Sequence, residues 1–258
     1  MKESSVASHV NVAINVATIE QHYPKISVVV PARNESGNLV HVLPHIPSIV
    51  GEVILVDGHS TDNTIATAEQ LLPTIKIVKQ AGMGKGDALR QGFAACSGDI
   101  IVILDADGST DPRELPQFVE ALLNGNDFAK GSRFMKGGGS QDHTLLRYFG
   151  NCVLSQVAKI LFRAQFSDIC YGYAAFWKYC LDSIDIDCDG FEVEALLITR
   201  AHKAGFKIVE VPSFEQPRMY GVSKLHSFRD GWRMLKMIVK ERRTNVQPSA
   251  QRQHLLAR

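Results

Sequence analysis

Ile100-Ile101-Val102-Ile103-Leu104-Asp105-Ala106-Asp107 is the stretch on which the fold turns. Its first five residues are apolar, four of them β-branched, with no polar alternation. That is the signature of a strand covered on both faces, as in a parallel sheet flanked by helices. In such open sheets ligands bind beyond the carboxyl ends of the strands. Asp105 and Asp107 stand two residues apart on an extended chain, so both can face one ligand.

Working outward, three more short runs have the same character: Ile26–Val30, Val53–Val56 and Ile75–Val78. Helical patterns separate them. Asn38–Ile46 follows the first, Asp62–Leu72 the second, and Asp87–Ala95 the third. Thr61 or Asp62 is placed to cap the second helix, and Pro73 to stop it. The alternation predicts an α/β fold, a Rossmann-like open and mostly parallel sheet. Beyond Asp107 the pattern predicts a helix over Pro112–Leu123 and a strand over Phe128–Phe134. A flexible loop at Gly137-Gly138-Gly139-Ser140 and a long helix over Leu145–Phe162 follow. The last elements are a helix over Gly190–Gly205, a strand over Lys207–Val211, a loop over Pro212–Lys224 and an amphipathic helix over Phe228–Arg243. Residues 1–24 read as an N-terminal arm, 25–226 as the main domain, 227–243 as the basic amphipathic helix and 244–258 as a flexible tail.

Three predicted strand ends carry polar loops: Pro31-Ala32-Arg33-Asn34-Glu35, Asp57-Gly58-His59-Ser60 and Asp105-Ala106-Asp107. Two converging carboxylates suit a hard cation such as Mg²⁺ or Mn²⁺, with diphosphate oxygens in other positions. A bland alternative is that Asp105 and Asp107 cap the following helix. Gly82-Met83-Gly84-Lys85-Gly86 is not a P-loop, because Asp87 stands where the motif needs Lys and then Ser or Thr. It also lacks dinucleotide-binding spacing.

The chain has 258 residues, 45% hydrophobic and 21% charged, which is ordinary for a globular protein. Its five cysteines are odd in number and form no C-x-x-C pair, so they read as reduced thiols in a cytosolic protein. No run approaches the roughly 18 apolar residues needed to span a bilayer. The net charge of +1 is uneven: Lys224–Arg258 holds nine Lys/Arg against two Asp/Glu. Such a tail is drawn to an anionic surface, membrane lipid or nucleic acid, or is simply a solvated face.

Five motifs occur in order: Pro31-Ala32-Arg33-Asn34-Glu35, Val56-Asp57-Gly58-His59-Ser60-Thr61-Asp62, Gly84-Lys85-Gly86, Leu104-Asp105-Ala106-Asp107 and Gly131-Ser132-Arg133-Phe134. Together they resemble the family 2 inverting glycosyltransferases of the GT-A fold. Phe191-Glu192-Val193-Glu194 and Arg218-Met219-Tyr220-Gly221-Val222-Ser223-Lys224 narrow the resemblance to polyprenyl-phosphate glycosyltransferases, including dolichyl-phosphate mannose synthases. It spans roughly residues 25 to 240.

The resemblance implies a nucleotide-diphosphate sugar donor, with a GDP or UDP carrier. It implies that Pro31, Arg33 and Glu35 line the base and ribose pocket, that Asp57 bonds the base, and that Lys85 lies near the nucleotide. Asp107 becomes a direct ligand of Mg²⁺ or Mn²⁺, with Asp105 at the ribose or the metal. Arg133 meets a phosphate of donor or acceptor. Arg218 and Lys224 clamp the diphosphate, in a loop that Gly221 allows to close. Asp168 matches an acceptor-side acid. A hydroxyl acceptor needs such a base, whereas a phosphate acceptor needs positioning. Glu192 and Glu194 are weaker candidates. Gly108-Ser109 departs from the Leu-Gln pair of the mannose synthases, so the sugar is left open.

In the last predicted helix Phe228, Trp232, Leu235 and Val239 make an apolar stripe beside Arg229, Arg233, Lys236 and Lys240. The stripe suits a membrane interface or the domain's own surface. The expected acceptor is a polyprenyl or dolichyl phosphate, met by peripheral contact at the cytoplasmic face of a membrane or through a membrane partner protein, with no nucleic-acid partner. The same donor chemistry also fits a saccharide or small-molecule hydroxyl acceptor. Readings of another class are a nucleotide-sugar-binding module without turnover, or a nucleotidyltransferase. The latter's early glycine-rich, Arg-containing loop is missing.

Overall fold

The structure is a computed structural model that describes residues 23–142, 144–222 and 225–246. A seven-stranded sheet forms its centre. In chain order the strands and helices begin with β1 (Ile26–Ala32), α1 (Ser36–Val42), β2 (Glu52–Asp57), α2 (Thr64–Leu71) and β3 (Lys76–Lys79). Then come α3 (Lys85–Ala95), β4 (Ile100–Ile103), α4 (Leu115–Leu123), β5 (Phe128–Ser132), β6 (Gly139–Ser140) and α5 (Leu145–Phe162). The last are β7 (Ala174–Trp177), α6 (Val193–Lys203), β8 (Ile208–Pro212), β9 (Phe214–Glu215) and α7 (Ser227–Glu241). The sheet order is β3-β2-β1-β4-β7-β5-β8. β1 pairs in parallel with β2 and β4, and β5 with β8. β7 runs antiparallel between β4 and β5.

β1, β2 and β4 are buried on both faces, as their sequence requires, whereas β3, expected to be covered in the same way, lies at the sheet edge and is only partly buried. Val29, Ile54 and Val56 join one core with Leu89 and Phe93 of α3, Leu154 of α5, Leu196 of α6 and Met234 of α7. Val28, Val30 and Leu55 point the other way, into a second core with Leu39 of α1, Ala68 of α2 and Phe118 of α4. Gly92 lets α3 lie against the sheet, since a Cβ there would come within 2.4 Å of Val29 Cγ1.

Several boundaries differ from the expected ones. α1 starts at Ser36 and gives way to a 3₁₀ turn at Leu43–His45, where Pro44 has no N–H to continue the helix. α2 starts at Thr64 after Asn63, and neither Thr61 nor Asp62 is its cap residue. Asp62 instead bonds Ser36 N (3.2 Å), Ser36 Oγ (2.8 Å) and Thr64 N (3.0 Å), tying the starts of α1 and α2 together. The glycine stretch expected to be a flexible loop contributes β6, which pairs with β9 inside the second expected loop. Gly139 N donates to Ser213 O at 3.1 Å. β7 was not expected at all. It is four residues long and half alanine, too short and too weakly β-forming to stand out.

The candidate donor cavity

A cavity of about 790 Å³ opens beyond the carboxyl ends of β1, β2 and β4. Of the residues expected at a site, Pro31, Arg33, Glu35, Lys85, Asp105, Asp107 and Arg218 line it. Lys224 lies outside the described residues. The loops that follow β1 and β2 are laced together. Asn34 N donates to Ser60 Oγ (2.9 Å), and Thr61 N donates to Asn34 Oδ1 (2.7 Å). Asn34 and His59 both hold positive φ, at 55° and 62°. Non-glycine residues carry such strain where neighbours fix the loop shape, most often at functional sites.

Asp57 is buried behind the wall between Val56 and Gly58, which do line the cavity. One of its oxygens accepts from Ser60 N at 3.3 Å, while Oδ1 has no hydrogen-bond partner. An unmet buried acceptor costs about 1–3 kcal/mol, which a donor group on a ligand would recover.

The glycine-rich turn has a structural cause. Gly84 adopts φ 93°, and a Cβ on Gly86 would come within 2.2 Å of Cys188 O. Gly86 N donates to Asp189 O at 2.9 Å, so the start of α3 is bonded to segment 188–189. That seating delivers Lys85 to the cavity wall. Its Nζ lies 2.6 Å from Asp105 Oδ1 and 2.6 Å from Glu194 Oε1. Burial alone would disfavour the lysine charge, yet these two carboxylates carry its pKa well above the ordinary value. Burial, with Asp105 nearby, raises that of Glu194. Glu194, one of the weaker site candidates, is thus a largely enclosed partner of Lys85.

Arg218 reaches the same wall from the opposite side. Its Nη2 lies 3.1 Å from Asp107 Oδ2, and its Nη1 lies 3.0 Å from Glu35 Oε2. The neighbouring Tyr220 is pinned to α1, its N donating to Asn38 Oδ1 at 2.8 Å. Asp107 also accepts from Ser109 N (3.0 Å) and Ser109 Oγ (2.7 Å). Neither Asp105 nor Asp107 caps a helix. Asp111 does so, accepting from Arg113 N ahead of α4.

Arg133 and Asp168 are not on the cavity wall. They form a buried ion pair, Nε to Oδ2 at 2.7 Å and Nη2 to Oδ1 at 3.0 Å. Arg133 also meets Glu215 at 3.0 Å, and Asn151 donates to Asp168 at 2.7 Å. Burial would raise the Asp168 carboxyl, but Arg133 holds it down to about 2. In this arrangement each side chain's charge is spent on the other.

Two arginines that the sequence placed only in the basic stripe of the last helix, Arg229 and Arg233, line the cavity as well. The core-facing side of α7 is Met234, Met237 and Ile238. Phe228, Trp232 and Val239 face outward and are exposed. Of the expected stripe only Leu235 packs against the core, and the other three residues point away from the domain. α5 packs on α7 and shows an outward apolar stripe of its own, through Leu145, Phe149, Val153 and Ile160.

Strand order and flanking helices define a GT-A fold. The chain belongs to glycosyl transferase family 2, whose family model matches residues 27–182. It is 30% identical over 211 residues to a dolichol-phosphate mannosyltransferase of Pyrococcus furiosus, covering 78% of this chain and 59% of that one. It thus spans less than two thirds of that relative's length. It is also 30% identical to a polyprenol monophosphomannose synthase of Mycolicibacterium smegmatis, covering 77% of this chain and 80% of that one. Among solved structures it resembles the glucosyl-3-phosphoglycerate synthase of Mycobacterium tuberculosis in complex with phosphoglyceric acid. That likeness has a TM-score of 0.68 and 24% identity, over 84% of this chain and 80% of that one.

Proposed function

We propose that the chain transfers a sugar from a nucleoside-diphosphate sugar to a polyprenyl phosphate, inverting the anomeric carbon. The observation that carries this reading is the carboxylate pair Asp105 and Asp107 on the cavity wall, bracketed by Lys85 and Arg218. Asp57, with its unpartnered oxygen, and the loop Pro31–Glu35 would hold the nucleoside. The sugar and the base stay open.

The donor set fits a divalent cation. Asp105 and Asp107 offer hard oxygen ligands, and Asp107 already carries a cationic partner, Arg218. Among the described residues no group of three His, Cys, Asp or Glu gathers as a metal cage. Mg²⁺ and Mn²⁺ suit such a sparse set, because water and phosphate oxygens complete their shells. When bound, the ion would neutralise charge on the departing diphosphate. Complexes of the mycobacterial synthase with Mn²⁺ and with Mg²⁺ support this.

The chain's own residues then divide the work. Lys85 fixes Asp105, and Arg218 moves from Asp107 and Glu35 to the diphosphate, with the Gly221 backbone at φ 77° allowing the loop to shift. A guanidinium there stabilises the leaving group as the sugar bond breaks. Arg133 and Asp168 brace the acceptor side as positioning residues. A phosphate acceptor is already an anion and needs no base, which suits an Asp168 locked in its ion pair. The names of the two curated relatives support a polyprenyl-phosphate acceptor.

Outward apolar stripes on α5 and α7, with the α7 arginines and lysines beside them, suit peripheral contact with the cytoplasmic face of a membrane. Among the described residues no helix is long and apolar enough to cross one.

The test is a panel of nucleotide sugars with Mn²⁺ and a short polyprenyl phosphate. Transfer to the lipid from at least one donor is expected. Donor hydrolysis with no lipid product from any donor would refute the acceptor assignment.

One observation favours a second reading, a hydroxyl acceptor. Glu192 lines the cavity, and its Oε2 is buried without a partner. It could accept a proton from a hydroxyl. Loss of turnover in Glu192→Gln with donor binding intact would support that reading.

A further inference from the structure

Resting on the reading of a phosphate-bearing acceptor, we infer that Arg229 and Arg233 form an anion subsite on the cavity wall and hold the acceptor's phosphate. Both come from the first two turns of α7 and line the same cavity as the carboxylate pair. Their side chains are 60% and 55% exposed. They share a single buried carboxylate, Asp230. Arg229 Nε lies 3.2 Å and Arg233 Nη1 4.0 Å from the same oxygen, Asp230 Oδ1. The other oxygen of Asp230 accepts from His226 N at 2.8 Å. Asp230 orients both guanidiniums but cancels only one of their charges.

Two other wall cations are already matched, while Glu192 keeps one buried oxygen without a partner. Lys85 is held by Asp105 and Glu194, and Arg218 by Glu35 and Asp107. Asp187 and Asp189 also line the cavity, yet neither competes for the pair. Asp187 is met by Arg200 and Lys240, each at 2.8 Å, and Asp189 by Arg90 at 2.5 Å. With one carboxylate between two guanidiniums, Arg229 and Arg233 keep one positive charge uncancelled at their end of the cavity. Two adjacent guanidiniums present planar forks of N–H donors that match phosphate oxygens. Arg133, expected to meet a phosphate of donor or acceptor, is enclosed by Asp168 and Glu215.

Phe228 and Trp232 each precede one of these arginines and face outward. A polyprenyl phosphate would place its headgroup on the arginines and its chain along Phe228, Trp232 and Val239. A free phosphomonoester would use the arginines alone.

Isothermal titration of the full chain with farnesyl phosphate and with glycerol 3-phosphate tests the subsite. Proteins compared are wild type, Arg229→Ala/Arg233→Ala and Arg229→Lys/Arg233→Lys, with Arg229→Gln alone as a milder change. At least a tenfold weakening is expected in the double alanine variant and a smaller one in the lysine pair. Binding of UDP- and GDP-sugars should be retained throughout. Equal binding of both phosphates by wild type and the double variant would overturn the subsite. So would absence of phosphate binding by wild type, or parallel loss of nucleotide-sugar binding in Arg229→Gln. Weakening of farnesyl phosphate but not glycerol 3-phosphate in Trp232→Ala assigns the subsite to a lipid headgroup. Equal affinity for both probes, lost together in the arginine variants, assigns it to a soluble phosphate. Wild type that binds farnesyl phosphate at these arginines yet transfers no sugar to it contradicts the proposed reaction and leaves the subsite standing.

Discussion

Arg218 and Glu35 lie 183 residues apart and meet as a forked ion pair, Nη1 to Oε2 at 3.0 Å and Nη2 to Oε1 at 3.1 Å. The same Nη2 reaches Asp107 Oδ2 at 3.1 Å. One guanidinium thus links the loop after β1 to the loop after β4. The charge proposed to meet the leaving diphosphate is stored on the carboxylates of the donor cavity.

Arg218→Lys should separate charge from shape. A lysine keeps the charge but loses the fork that spans Glu35 and Asp107. Turnover is expected to fall on the order of 10²-fold, the size seen when one transition-state donor is removed. The effect should appear in kcat more than in the KM for donor, read by steady-state kinetics.

Asp168→Asn addresses the buried pair. It leaves the Arg133 charge in place with Glu215 as its remaining carboxylate partner. Breaking one partner of a buried pair costs about 3–5 kcal/mol, so urea midpoints near neutral pH should drop. The wild-type Asp168 carboxyl is lowered to about 2 in the folded chain. Its contribution is therefore complete above the ordinary carboxylate range and is lost as pH falls towards 2. The stability gap between wild type and variant should close over that acid window and stay constant at higher pH.

Cys188 on the cavity wall should be inert. Burial, then the charges of Glu192 and Asp187, push its thiol up to about 12. At about pH 8 its alkylation by iodoacetamide should run on the order of a hundredfold slower than that of free cysteine, because the thiolate is the nucleophile. Peptide mapping after timed alkylation reads this directly.

Much of the fold was legible because the chemistry is local. β-branched runs marked β1, β2 and β4, and polar residues at their ends marked the cavity. What escaped depends on distant partners. Nothing near Arg218 announces Glu35, and nothing near Lys85 announces Glu194. In α7 both the apolar stripe and the core-facing Met234, Met237 and Ile238 repeat with helical spacing, so periodicity alone could not say which faced inward. Arg229 and Arg233 were visible as basic residues, but their place on the cavity wall follows from how α7 crosses the domain. The antiparallel β7 was hidden by its length.

Outward stripes on α5 and α7 should hold the protein on anionic vesicles. Co-sedimentation with vesicles containing phosphatidylglycerol is expected at low salt and should weaken as salt is raised. Phe228→Ala/Trp232→Ala and Phe149→Ser/Val153→Ser should each reduce it several-fold. Equal sedimentation of these variants and wild type would contradict a membrane role for these faces.

Sugar transfer to a short polyprenyl phosphate by wild type and by Asp107→Asn, each with Mn²⁺ and with EDTA, tests the central claim most directly. The expected result is transfer by wild type that EDTA abolishes and Asp107→Asn reduces at least a hundredfold. Transfer that persists undiminished in EDTA or in Asp107→Asn would contradict a donor site built on Asp105 and Asp107.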